Sequence, residues 1–139
     1  MKREAALPFC HKHGIYFHRH SCNVIRASQT ETDIHFKAKA MLGWALMKKG
    51  QTIFTEYPYF RKGRKIGEID LMWLDEKKAI EFENNYTQER IAFKNRQFGD
   101  KFDVWVINLK EWRENFDASL RELLDKLGVW SNETVTSKT

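Results

Sequence analysis

Ile66-Gly67-Glu68-Ile69-Asp70-Leu71-Met72-Trp73-Leu74, followed by Lys77-Lys78-Ala79-Ile80-Glu81-Phe82-Glu83, is the stretch whose reading decides the fold. Both halves read as short strands with a carboxylate at or near one end, and Asp75-Glu76 between them marks a hairpin turn. Side chains alternate along a strand, so Glu81 and Glu83 share one face of the second, while the turn lets Asp70 of the first approach Glu81. Carboxylate oxygens are hard ligands suited to Mg²⁺ or Mn²⁺. Such an ion lowers the pKa of a bound water and neutralises charge building on a phosphate. Two acids on neighbouring strands also occur as exposed partners of nearby Arg and Lys, and the pattern by itself leaves both readings open.

Outward from this hairpin, the chain orders itself as helix, three strands, helix, strand, helix. The first helix is predicted from Thr30 as N-cap with Asp33 three residues on, an apolar stripe Ile34, Ala38, Met41, Leu42, Ala45, Leu46, and Gly50 as the stop. Thr52–Tyr57 reads as a strand limited by Pro58 and the Gly/basic turn at 61–65. Asn85, with Gln88 in the capping-box position, is predicted to open a helix that Gly99 ends. Phe102–Leu109 is nearly continuous apolar and β-branched, which predicts a strand inside the sheet, reached by a crossover. Phe116, Leu120, Leu123, Leu124 and Leu127 mark a last amphipathic helix ended by Gly128, and 131–139 reads as a flexible tail.

At 139 residues there is room for one domain with a real core. The formal net charge of +5 favours a polyanionic partner such as DNA, with Arg61, Lys62, Arg64 and Lys65 on the turn and Arg90, Lys94 and Arg96 farther on as the basic clusters. Gln97 falls on the side of Arg90 and Lys94 and is a further candidate for phosphate contact. No apolar run is long enough to cross a bilayer, and polar and basic residues stand where a signal peptide needs its hydrophobic stretch. The expected location is therefore the cytoplasm.

Gly67-Glu68-Ile69-Asp70, a hydrophobic strand, a turn and a second strand ending Ile80-Glu81-Phe82-Glu83 together resemble the core of the PD-(D/E)xK nuclease superfamily. The resemblance runs from about Thr30 to Leu109 and is closest to the archaeal Holliday-junction resolvase-like and competence-nuclease-like branches. It implies a restriction-endonuclease-like α/β core, α-β-β-β-α-β, with a central mixed four-stranded sheet flanked by helices, plus a C-terminal helix. It further implies a metal held by Asp70, Glu81 and the Phe82 carbonyl, with DNA hydrolysed at a homodimeric enzyme, on branched or single-strand-bearing substrates by analogy. The family lysine should stand at 83, where this chain has Glu83. Lys94 or Lys39 is the candidate to replace it, with Glu83 as a third ligand, a base near the attacking water, or a salt-bridge partner. His35 and Lys39 resemble the His-x3-Lys of the competence-like branch, which would bring His35 near the scissile phosphate and Lys39 to the nucleic acid. Glu31 and Glu56 are weaker candidate acids. The alternative is a catalytically inactive nuclease fold that binds nucleic acid or a partner in a replication or mobile-element complex.

Residues 1–28 precede this 29–130 nuclease-like unit as a Cys/His-rich arm holding both cysteines and four of the five histidines. Cys10, His13, His20 and Cys22 supply enough donors for a tetrahedral structural Zn²⁺. A Cys10 to Cys22 disulfide and an unmetallated basic arm that stacks on bases are the alternatives, and a zinc-dependent binding protein is the reading that would make this arm the functional end.

Overall fold

The structure, a computed structural model, describes residues 1–129. The predicted 131–139 tail lies outside the described residues. Ten elements follow one another: α1 (Arg3–His13), a 3₁₀ turn (Arg19–Ser21), α2 (Asp33–Lys48), β1 (Ile53–Arg61), β2 (Arg64–Trp73), β3 (Lys78–Glu83), α3 (Gln88–Phe98), β4 (Asp103–Asn108), α4 (Leu109–Glu114) and α5 (Phe116–Lys126). The sheet order is β1-β2-β3-β4, antiparallel across the first two pairs and parallel between β3 and β4, whose crossover is α3. This is an α/β fold with a mixed four-stranded sheet, helices on both faces and a C-terminal helix. Among the described residues no helix is long and apolar enough to cross a membrane.

Two buried clusters sandwich the sheet. Ala6 and Cys10 of α1 and Phe98 of α3 pack with Phe54, Tyr57, Ile69 and Met72 on one face. On the other, Ala38, Leu42 and Leu46 of α2 and Leu123 of α5 pack with Ile53, Leu71 and Ile80. The N-terminal arm is thus built into the body, with α1 closed by Gly14 at φ 66°, a value that glycine adopts without a Cβ penalty. Residues 22–26 also line the outer edge of β1: Asn23 N donates to the Ile53 carbonyl, and Thr55 Oγ1 accepts from Arg26 N. That cover protects an edge strand from unwanted pairing.

Several boundaries differ from the sequence expectation. Thr32, not Thr30, caps α2 by accepting from His35 N, and Thr87, not Asn85, caps α3 by accepting from Arg90 N. β1 runs through Pro58 to Arg61, because on an edge strand a missing N–H costs no ladder bond. Lys62 and Gly63, both at positive φ, form the two-residue turn that closes the β1–β2 hairpin between Arg61 and Arg64. β4 is not interior but the last strand of the sheet, half-buried along most of its length. The predicted last helix is preceded by α4, separated from it at Asn115.

Candidate active site

β2 and β3 are laddered only from Trp73↔Lys78 to Leu71↔Ile80, and beyond Ile80 the strands part. Two carboxylates replace the missing ladder bonds. Asp70 N donates to Glu81 Oε2 at 2.6 Å, and Phe82 N donates to Asp70 Oδ2 at 2.9 Å. The sequence-predicted pair therefore meets where the sheet opens, each acid satisfying a main-chain donor beside the other. The N–H and C=O of a residue in a strand leave on the same side, so the Phe82 carbonyl also faces the gap.

Around this gap lies a cleft of about 520 Å³, lined among others by Glu31, His35, Glu56, Asp70, Glu83 and Lys94. β3 keeps its alternation: Glu81 and Glu83 both face α3, where Lys94 Nζ stands 2.8 Å from Glu81 Oε1 and 4.0 Å from Glu83 Oε1. Arg90, one turn earlier, holds Glu83 Oε1 at 2.9 Å with 41 % of its side chain exposed. The Glu81 carboxylate is wholly buried. Burial first, then the neighbouring Asp70 charge, pushes its pKa up to about 8 against the opposing pull of Lys94 and the Asp70 N–H.

The α2 side supplies a second set of charges. His35 points Nδ1 at Glu31 Oε2 (2.5 Å) and Nε2 at Asp70 Oδ2 (3.1 Å). Burial disfavours its charged form, but the Asp70 and Glu31 carboxylates outweigh that and hold its pKa up at about 9. With a carboxylate at each ring nitrogen, the imidazolium form donates both ways. Lys39 is completely buried and bridges Glu31 (3.0 Å) and Glu56 (2.5 Å). Burial works against the ionised Glu31, yet the Ser28 N–H, Lys39 and His35 together bring its pKa below the ordinary value. Burial raises that of Glu56, and Lys39 offsets this only in part.

Glu31 and Glu56, weak candidates from sequence, are thus integral to the site. Glu56 sits opposite Asp70 in the β1–β2 register, but with φ at 49° it drops out of the ladder. Cluster membership changes with it: Phe54 and then Tyr57 and Tyr59 lie on the α1 face, a break in strict alternation that sends Glu56 toward α2. Asp70 marks the same break on β2, between Ile69 on the α1 face and Leu71 on the α2 face. Left-handed backbone at a non-glycine residue is uncommon and costs on the order of 1 kcal/mol or more.

No family model, curated protein or solved structure matches this chain.

Other expected site residues lie elsewhere or are otherwise engaged. Lys39, expected at the nucleic acid, is instead enclosed by two carboxylates with no exposed surface to offer a phosphate. Gln97 donates to the Ile66 carbonyl at 2.8 Å, the residue extruded where the β1–β2 register shifts, so it serves the hairpin's own main chain. Arg61 is held by Asp100 and by the Gln97 carbonyl, whereas Lys62, Arg64 and Lys65 are exposed at the hairpin tip, Lys65 in an ion pair with Glu68 at 2.7 Å. Cys10 and Cys22 are buried, His20 is exposed, and His13 stands over the Phe9 ring. Desolvation raises the Cys10 thiol to about 11, with Cys22 adding to it. Among the described residues no three His, Cys, Asp or Glu side chains form a metal-holding group, at the arm or at the cleft.

A divalent ion at the β2–β3 gap would rest on two carboxylates and a main-chain carbonyl. One observation fits it: Glu81 Oε1 is buried without a hydrogen-bond partner. Lys94 lies 2.8 Å away but is not aligned as a donor, so the contact is an ion pair that leaves a lone pair of this oxygen unused.

Proposed function

We propose that the chain is a metal-dependent endodeoxyribonuclease of restriction-endonuclease-like fold, acting on branched or single-strand-bearing DNA. The observation that carries this reading is the convergence of Asp70 and Glu81 at the parting of β2 and β3, with Lys94 of α3 against the buried carboxylate. Asp70, Glu81 and the Phe82 carbonyl would hold Mg²⁺ or Mn²⁺, which when bound supplies a water of lowered pKa and neutralises charge on the phosphate. The rest is positioning and electrostatics from the chain itself. Lys94 stands between Glu81 and Glu83, where a cation can hold the attacking water, in place of the lysine that position 83 lacks. His35, itself fixed by Glu31, sets the orientation of Asp70. Arg90 at the mouth of the cleft is free enough to meet a phosphate, and the N-terminus of α2 opens onto the same cleft, where its dipole favours an anion. The tip residues Arg64 and Lys65 lie roughly 17–20 Å along β2 from Asp70 at about 3.3 Å per residue, with Lys62 in the turn beyond them. That is about the axial length of five or six base pairs at about 3.4 Å each, a span suited to gripping a duplex arm beside the cut.

A second reading draws on a specific observation. Asp70 and Glu81 already accept from main-chain donors and lie against basic side chains, and Glu83 is paired with Arg90, so most of these carboxylate oxygens are engaged without added ions. A nucleic-acid- or partner-binding module that has lost cleavage fits that arrangement. Supercoiled-plasmid nicking in Mg²⁺ or Mn²⁺ separates the two. The nuclease reading expects nicking by the wild type and a loss of at least about a hundredfold in Asp70→Asn and Glu81→Gln, the scale of losing one electrostatic contributor. Salt-sensitive DNA retention with no nicking in either metal would transfer the case to the second reading, and absence of both would sink the pair.

A further inference from the structure

Helix α2 is apolar on both sides. Ala38, Leu42 and Leu46 are buried against the sheet and α5, yet the opposite face carries Phe36, Met41 and Trp44 at 37, 41 and 52 % exposure, with Ala40 and Met47 half-buried between them. Val24, 38 % exposed, adds to the exposed apolar surface on the segment beside β1. A helix with no polar face is ordinarily covered on all sides, and a contiguous exposed apolar patch marks a contact surface. The charges on this face sit near its ends. Asp33 opens the helix and Lys48 closes it, both exposed, and among the described residues neither has an ion-pair partner. Lys37, also on this side, is already committed to the Phe116 ring, 4.1 Å away.

We propose that this face of α2 is the contact between two copies of the chain, packed antiparallel about a two-fold axis passing between Ala40 and Met41. The pattern is self-complementary in that register, which pairs Asp33 with Lys48 and keeps the two helices in contact along their full length. Each residue then faces the one whose number makes the same sum, so Asp33 of either copy meets Lys48 of the other, once at each end. Ala40 lies at the crossing, where a small side chain lets helix axes approach to about 8–10 Å. Met41 of each copy then covers Ala40 of the other, Trp44 lies over the stem of the other copy's Lys37, and both ends close on an ion pair. An isologous contact of this kind presents the same patch twice, which one helix face with opposite charges at its two ends satisfies. The buried sides of the two helices stay as they are, so both sheets and both clefts keep their geometry.

One helix face covers less than the about 800 Å² per partner of a standard interface, so the equilibrium belongs in the range of about 1 µM to 1 mM. Sedimentation equilibrium of the full chain over that range tests the proposal. The wild type is expected to dimerise reversibly, and Trp44→Glu to weaken dimerisation at least about tenfold, as for a central aromatic anchor. Asp33→Lys and Lys48→Glu each place like charges at both ends and are expected to weaken it alone. Mixed in equal amounts, those two variants have opposite charges at both ends, and association is expected to return to the wild-type level. The mixture keeps the test independent of any loss of helix stability in the single variants, and far-ultraviolet circular dichroism checks that each is folded. A wild type that stays monomeric to about 1 mM, a dimer indifferent to Trp44→Glu, or a mixture no stronger than its components each overturns the proposal.

Discussion

Replacing Lys39 with Met tests whether this lysine is the internal counter-ion of the site. The substitution keeps the length of the side chain and removes its charge. The wild-type ammonium is completely buried and touches Glu31 and Glu56, whose side chains are only 6 and 16 % exposed. Without it two desolvated carboxylates remain near Asp70 with His35 as the nearest cation on the α2 side. Breaking a buried ion pair from one side costs about 3–5 kcal/mol, because the partner stays charged in a poorly solvated place. For a domain of this size that is a fall in Tm of about 10–20 °C. The loss should shrink on acidification, since Glu56, whose pKa burial already raises, takes up a proton in the variant and relieves the repulsion. Urea unfolding at several pH values measures this. The triple variant Lys39→Met, Glu31→Gln, Glu56→Gln should recover much of the loss, because neutral groups no longer need the cation. A Lys39→Met protein within about 1 kcal/mol of wild type at neutral pH would refute the reasoning. A folded variant that lost only salt-dependent DNA affinity would return Lys39 to the nucleic-acid role that the sequence suggested.

Other outcomes follow from the same geometry. His35 has its folded pKa raised from 6.5 to about 9, so its ion pairs contribute fully below pH 6.5 and are lost as pH rises through 9. Glu81, raised from 4.5 to about 8, acts in the same direction, favouring the fold below 4.5 and losing that contribution as pH rises through 8. Stability should therefore fall between about pH 6.5 and 9, by up to about 3 kcal/mol from His35, and His35→Gln should flatten the slope; stability that rises over this window would contradict it. Thr32→Ala removes the cap bond to His35 N and the contact with Asn84, and should cost about 1 kcal/mol in thermal or urea unfolding. Arg90→Ala should leave stability within about 0.5 kcal/mol. In a binding titration it should lower the salt slope of DNA affinity by about one, and an unchanged slope would remove Arg90 from the interface.

How much of this was legible in the sequence depended on which part of the chain carried the signal. The hairpin announced itself because β-branched and apolar runs flank a polar turn, and the meeting of Asp70 with Glu81 followed from pairing two adjacent strands. Glu81 and Glu83 share a face because β3 keeps strict alternation to its end. Where alternation fails, so did the reading. Period two gives Glu56 the face of Phe54, and only a left-handed φ turns it toward Lys39, a departure that no neighbouring glycine signals. Glu31 precedes α2 rather than lying on it, so helical spacing could not relate it to His35 and Lys39; its place is fixed by the Ser28 N–H, which bonds its side chain at 2.7 Å. Phe102–Leu109 looked interior because it is apolar, but helices on both faces suffice to cover such a strand, and its free edge costs nothing that composition records. Charge misled in the opposite direction. Lys39 counts toward a basic surface in any tally, yet it is spent internally on two carboxylates, and Arg61 is spent on Asp100. The net positive charge therefore overstates what reaches solvent near the cleft, where Arg90 is the partly exposed cation and Lys94 lies deeper. A nucleic acid meeting this protein would be held mainly at the hairpin tip and admitted to the cleft by few charges, so the tip should set affinity while Arg90 and Lys94 set what happens at the bond.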